Sequence, residues 1–149
     1  MGPSPDHPWL LELNELEFPV VSRSGLLDQI KVAQSLGHGR LVLSSVIGPA
    51  PLWKRLLGAK NESRGHFAVE WFNQVASLIF LDKNWSEYRA IDGAGPIEAS
   101  DEERTQVAHG EVKPHPKAEC LSKERAFRAI AESLESDARP AWLQYRVVR

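Results

Sequence analysis

Apolar positions recur along this chain in two rhythms, and the rhythms divide it into elements. In "HFAVEWFN" they alternate. Phe67, Val69 and Trp71 share one side, and Ala68, Glu70 and Phe72 share the other, which predicts a strand. "VASLIFLD" is apolar on both sides, as a central strand covered on each face should be. Only Asn73 and Gln74 separate the two, so they are expected to form a hairpin. "KNW" then turns the chain into "SEYRAID", a third strand of the meander. The end, "AWLQYRVVR", alternates again, with Leu143, Tyr145 and Val147 against Trp142, Gln144, Arg146 and Val148.

The second rhythm is helical. In "SGLLDQIKVAQSLGHG", Leu26, Leu27, Ile30 and Ala33 recur at helical spacing, with Ser24 as N-cap and Gly37 as stop. "SKERAFRAIAESLES" gives the stronger signal. Ser122 caps it, Glu124 suits its positive first turn, and Phe127, Ile130, Ala131 and Leu134 form one stripe. Asp137 to Pro140 break it. "WLLELNELEFPVV" reads as one first strand ending near Pro19, and Arg40 to Ile47 as another strand. "GPAPLWKRLLGAKNESRG" reads as a Gly- and Pro-rich connection with a helical turn at "LWKRLLG". Between "SEYRAID" and the last helix runs a long acidic excursion with one short helical turn or an edge strand.

The predicted order is strand, helix, four strands, helix, strand. Successive strands favour antiparallel pairing. The expected fold is α+β, one domain over residues 9–149, with a largely antiparallel sheet and two main helices packed on it. The Pro-rich residues 1–8 are expected to be a flexible terminus.

Composition narrows the class. A chain of 149 residues that is 42% hydrophobic and 26% charged can bury one core. The longest apolar runs are too short to cross a bilayer. The start has neither a basic region nor an apolar core of a secretory signal. The lone Cys120 has no disulfide partner within the chain, so a cytoplasmic protein is expected. A net charge of −2 gives no footprint for direct nucleic-acid binding.

The search for catalytic patterns returns little. No two of His7, His38, His66, His109 and His115 stand four apart on a helix, and Cys120 lacks a CxxC partner, so no metal site is expected. "HGE" at 109–111 starts like a zinc deaminase signature, but the paired cysteines are missing. "GHGR" and "GAGP" lack the surroundings of a phosphate loop, and there is no GxSxG elbow. Cys120, just before a helix, could be activated by the dipole, or could be a small buried residue.

Surface chemistry is richer. Between Glu87 and Glu111 stand Asp92, Glu98, Asp101, Glu102 and Glu103, against two bases, Arg89 and Arg104. Such a run is either an ordinary solvated face or an acidic patch that attracts a basic partner. Trp85 and Tyr88 flank it, and Trp and Tyr are frequent binding anchors. Trp53 lies in the other long connection, while Trp71 and Trp142 are assigned to the core.

The pattern "ASLIFLDKNWSEYRAID", then the acidic excursion, then "GEVKPHPKAECLSKERAFRAIAESLESDARPAWLQY" resembles a bacterial immunity protein family. It is similar to immunity protein family one of polymorphic toxin systems. The features that carry this are the helix entry at Leu121–Glu124, the amphipathic Ala126–Leu134, the Arg139–Pro140 link and the aromatic strand Trp142–Tyr145. The resemblance covers about Val69 to Arg149; earlier residues match only in element order. It implies a cytoplasmic antitoxin that binds a cognate toxin domain, often a nucleic-acid deaminase, and blocks its active site. It implies no catalysis, cofactor, metal or membrane. Arg139–Pro140 is then a structural link. From the acid and aromatic pattern, the interface is expected at Trp85, Glu87, Tyr88, Asp101, Glu102 and Glu103, acting as charge mimic and anchors. One alternative is a small enzyme or ligand-binding domain built around His66, His109 or Cys120. The other is a scaffold with an exposed edge or apolar patch.

Overall fold

Asn14 and Glu15 both take positive φ, 50° and 73°. This two-residue turn has the hairpin twist, and it cuts the expected first strand into β1 (Trp9–Leu13) and β2 (Leu16–Val20). Period two runs through both halves, but its phase slips at the polar pair Asn14–Glu15, from Trp9, Leu11 and Leu13 to Leu16, Phe18 and Val20, and that slip marks the reversal which a single-strand reading misses. Pro19 lies in β2 opposite Leu10, on an edge strand where a missing N–H is tolerated.

The computed structural model describes residues 8–58, 61–92, 98–108 and 113–148. After β2 come α1 (Arg23–Gln34), β3 (His38–Pro49), α2 (Leu52–Leu56), β4 (Asn61–Phe72), β5 (Val75–Leu81) and β6 (Glu87–Asp92). Then follow α3 (Asp101–Gln106), a 3₁₀ turn (Lys117–Glu119), β7 (Leu121–Ser122), α4 (Lys123–Ser136) and β8 (Leu143–Val147). All strands join one antiparallel sheet in the order β2-β1-β3-β4-β5-β6-β8, with β7 pairing against β5. The α+β class stands. The expected hairpin between β4 and β5 forms, with Phe72 opposite Val75 and Asn73 at φ 55°. The last strand enters the sheet as its edge.

One face of the sheet is apolar and carries α1 and α4. Leu41, Leu43, Phe67, Val69, Trp71, Leu78 and Phe80 point there, against Leu26, Ile30, Phe127 and Ile130. Trp71 meets Phe127 edge to face at 5.2 Å. The Leu36 carbonyl, just past α1, accepts from Trp71 Nε1 (2.9 Å) and Lys123 Nζ (2.7 Å). One acceptor thus ties α1, β4 and α4 together, and Lys123 is buried because its ammonium is satisfied.

The other face is covered over β5 and β6 by the acidic excursion, which was expected as a loop. Val75 packs with Val107 and Cys120, and Ser77 Oγ donates to the Val107 carbonyl (2.8 Å). β5 is therefore apolar on both sides for the reason the sequence suggested.

Several local expectations shift. Ser22, not Ser24, caps α1 by accepting from Gly25 N–H (3.0 Å). Ser122 caps α4 as expected, accepting from Arg125 N–H (3.2 Å). Ala131 is exposed, and Ala126 and Ala129 take its place in the buried stripe. Trp142 sits in the turn before β8, where Arg125 and Arg128 stack on its half-buried ring. His66 stands inside β4 rather than opening it, and His38 starts β3 rather than lying in a turn. Of the expected flexible terminus, residues 1–7 lie outside the described residues, while the Pro8 carbonyl accepts from Val46 N–H (3.0 Å). Among the described residues no helix is long and apolar enough to cross a membrane.

Candidate functional site: an apolar arm and an arginine-lined cleft

β3 and β4 outrun their neighbours. β1 pairs with β3 only from Leu41 to Ser45, and β5 pairs with β4 only from Phe67 to Phe72. Beyond them Val46, Gly48 and Pro49 pair with Ser63, Glu62 and Asn61, with no strand on either side among the described residues. The tip of this two-stranded arm is α2. Its Leu52, Trp53 and Leu56, with the following Leu57, are 62% to 80% exposed, and α2 buries none of its residues. Ile47, the extra residue of a bulge in β3, adds to this apolar surface. Lys54 pairs with Glu62 at 2.8 Å and brings its ammonium to 5.3 Å from the Trp53 ring centroid. Four large apolar groups side by side on a protruding tip form a patch, not scattered surface residues.

At the root of the arm a second bulge lies in β4. Leu43 faces Phe67 and Ser44 faces Gly65, so His66 is the unpaired residue. The His66 ring lines a cleft of about 470 Å³ between this root, the end of β5 and the C-terminal end of α4. Its Nε2 lies 2.8 Å from Ser45 Oγ. Burial, with help from Arg64 and against the pull of Asp137, lowers the His66 pKa to about 4, so the ring is neutral at pH 7. Arg23, Arg64 and Arg139 bring three guanidiniums to the walls, facing Asp82 and Asp137. The Asp82 carboxylate accepts from Asn84 N–H (2.8 Å), Ser86 N–H (3.0 Å) and Tyr88 Oη (3.3 Å). The Ser86 and Asn84 amides and Tyr88 hold its pKa below the ordinary value.

The Arg139–Pro140 link divides between two roles. The Pro140 carbonyl accepts from Tyr145 Oη (2.7 Å), and Asp137 ends α4 in a left-handed conformation. Arg139 stacks its guanidinium 3.7 Å from the Tyr88 ring centroid and 5.2 Å from that of Tyr145. Sequence reading gave this link a purely structural part; the structure also makes Arg139 a wall of the cleft.

The six expected interface residues do not form one patch. Trp85, Glu87 and Tyr88 lie at the β5–β6 turn. Asp101, Glu102 and Glu103 begin α3, where Asn73 Nδ2 donates to Glu103 (3.4 Å) at the opposite end of β5. Six residue steps along β5 put the groups roughly 20 Å apart. The acids are also partly occupied. Glu103 closes a capping box with Ser100, whose N–H it accepts at 3.0 Å, and this lowers its pKa. Asp101 pairs with Arg104 at 2.5 Å. Glu102 is exposed. Trp85 is half-exposed beside Gly65, at the root of the arm, while Tyr88 is half-buried under Arg139.

Of the groups suggested for an enzyme, only His66 lines the cleft. Cys120 is buried on the other face of the sheet, and residues 109–112, with His109 and Glu111, lie outside the described residues. Among the described residues no group of His, Cys, Asp and Glu side chains converges as metal ligands. Sequence reading found the helical turn at "LWKRLLG", but the exposure of its side chains was not legible, because "LWKRLL" has the apolar content of a core helix. The cleft escaped sequence reading because its arginines come from three distant segments. No protein-family model matches the sequence, and no curated protein is significantly similar to it.

Proposed function

We propose that this chain is a stoichiometric inhibitor, an immunity protein that neutralises a cognate toxin domain by covering its active site. The observation that carries this reading is the arm, whose apolar tip stays exposed among the described residues; a scaffold would use the same patch, and rescue from the toxin separates the two. A few buried anchors carry most of the affinity of a protein interface, and Trp53 is of a residue type enriched among them. Trp85 extends the footprint, since Gly65 lies only four residues, about 13 Å, from the arm's outer end. Asp101, Glu102 and Glu103 fall outside that footprint and act as charges that steer a basic partner and set the association rate.

The test is to read the neighbouring upstream reading frame and to co-express the chain with the compact C-terminal domain of the protein it encodes, whose toxicity alone is established first. The wild-type chain should restore growth and elute with that domain as a one-to-one complex. Trp53→Ser with Leu56→Ser should weaken the complex at least 100-fold with an unchanged unfolding midpoint. Full protection by this folded variant would overturn the role of the arm, and no protection by the wild-type chain would overturn the function.

One observation favours a second reading, a hydrolytic enzyme: Ser45 and His66 in hydrogen-bond contact, with Asp137 on the same cleft. An imidazole with a pKa near 4 is a weak general base at neutral pH, which ranks this reading second. Turnover of p-nitrophenyl acetate that disappears in Ser45→Ala would reverse the ranking.

A further inference from the structure

The cleft at the root of the arm sets, among the described residues, three arginines, Arg23, Arg64 and Arg139, against two carboxylates, Asp82 and Asp137, and so carries an excess of positive charge. Among the described residues no ion pair joins Arg23, Arg64 or Arg139 to a carboxylate. Arg23 donates to the Leu134 carbonyl and Arg139 stacks on two tyrosines. Arg64 is the most telling of the three, because its Nε is buried without a hydrogen-bond partner. A buried guanidinium nitrogen left unsatisfied costs free energy that a bound acceptor would recover. Of the facing acids, Asp82 has one oxygen engaged by the Asn84 and Ser86 amides of its turn and the other by Tyr88 Oη on β6. Asp82 and Asp137 together offset two of the three cations, which leaves the cleft net positive.

The remaining lining is apolar and aromatic: Trp9, Phe80, Leu81 and Tyr145. A volume of about 470 Å³ is that of a small-molecule site. Guanidinium forks match the oxygens of a phosphate, which carries close to two charges at neutral pH and so answers three cations better than a carboxylate does. The geometry points to a binding site for a phosphate monoester that carries a planar ring, the class to which nucleoside monophosphates belong. The arginines take the phosphate and the aromatic walls take the ring. This site is independent of partner binding by the arm and requires no toxin.

The ring of His66 reports on occupancy. It faces Arg64 on its own strand, Ser45 on β3, Asp82 at the end of β5, Asp137 and Arg139 after α4, Arg23 on α1 and Tyr145 on β8. A phosphate anion among these groups favours the imidazolium, so its titration midpoint must rise on binding.

The experiment is calorimetric titration of the full chain with phenyl phosphate, adenosine monophosphate, inorganic phosphate and benzoate, together with NMR titration of the His66 ring. Phenyl phosphate and the nucleotide should bind at least tenfold tighter than inorganic phosphate or benzoate. Arg64→Gln should weaken them at least tenfold, and Asp137→Asn should tighten them. Arg128→Gln, remote on the exposed side of α4, should change nothing. The His66 midpoint should rise by about one pH unit in the complex. Absence of saturable binding at millimolar phenyl phosphate overturns the proposal, as does binding unaffected by Arg64→Gln in a chain with native unfolding behaviour. Equal affinity for inorganic and phenyl phosphate removes the ring subsite.

Discussion

Arg89 and Arg146 stand directly opposite each other on antiparallel β6 and β8. Like charges in that position repel. The chain resolves this with Glu119 from the 3₁₀ turn, whose carboxylate is almost fully buried. Arg146 Nε donates to it at 2.6 Å, Arg89 Nε lies 3.8 Å away, and Arg89 Nη1 is 3.0 Å from Nε2 of the His115 ring. The far part of the acidic excursion is thereby pinned to the outer face of the sheet. Glu119→Gln should cost about 2 kcal/mol. This is less than the roughly 3–5 kcal/mol for a fully buried pair, because Arg146 keeps half its side chain in water. Urea unfolding measures it. Adding Arg146→Gln to that variant should recover part of the loss, and a single-variant cost below about 0.5 kcal/mol would contradict the bridge.

Two glycines test how firmly the sheet fixes its tryptophans. A Cβ on Gly39 would lie 2.7 Å from Trp71, and one on Gly65 would lie 2.7 Å from both Trp85 and Leu81. Trp71 is locked in the core, so Gly39→Ala should cost about 2–3 kcal/mol. Trp85 is 46% exposed and can swing outward, so Gly65→Ala should cost no more than about 1 kcal/mol. The Trp85 indole N–H resonance should move in Gly65→Ala while that of Trp71 stays. Equal costs would mean that Trp85 is as tightly held as Trp71.

His66 makes the fold sensitive to mild acid. Unfolded, its imidazole takes up a proton near pH 6.5; folded, burial and Arg64 lower that to about 4. Between these values the unfolded chain binds a proton that the folded chain refuses. Stability therefore falls as pH drops through this window and is fully present above it. From pH 7 to 4.5 the wild-type chain should lose about 2 kcal/mol more than His66→Gln, whose amide can still meet Ser45. Urea unfolding at both pH values gives the comparison, and parallel losses in the two chains would show that the ring titrates normally.

The parts of this fold written in the sequence are those governed by periodicity. The β4–β5 hairpin, the doubly buried β5, α4 with its Ser122 cap, and the closing strand β8 all follow from spacing and turn residues. The β1–β2 turn was legible only in part: across Asn14 and Glu15 the apolar set slips from Trp9, Leu11 and Leu13 to Leu16, Phe18 and Val20, but the pair lacks the glycine that usually marks such a turn. Charge was harder still. A run of acids looks like free surface, yet Glu103 caps α3, Asp101 binds Arg104 and Glu119 is buried between arginines. Whether a carboxylate is free depends on partners as distant in the chain as Arg146 is from Glu119, and composition holds no trace of them. The capping box itself, Ser100 with Glu103, was readable from its spacing. Its consequence is that Glu103→Lys would unfold α3, so steering by the acids is better tested with Glu102→Lys alone. That change should reduce association with the toxin domain several-fold at low salt and leave it unchanged at high salt.

Cys120 separates a reactive thiol from a structural one. It precedes the Ser122 cap by two residues and packs between Val75 and Val107, under the His115 carbonyl. Burial pushes its pKa up to about 11, outweighing the opposite pull of Arg104. A thiolate at pH 7 is then rare, and a disulfide reagent cannot reach the sulfur without opening the packing of Val107 and Cys120 on Val75 of β5. Labelling with a chromogenic aromatic disulfide should be negligible in native buffer over an hour and complete within minutes in denaturing urea. At intermediate urea its rate should follow the unfolded fraction, since exposure and unfolding are then one event. Cys120→Ala should leave every binding property intact and cost about 1 kcal/mol of stability for the lost sulfur contacts. Rapid stoichiometric labelling of the native chain would instead require that the excursion lifts off the sheet on its own, and would return Cys120 to the candidates for chemistry.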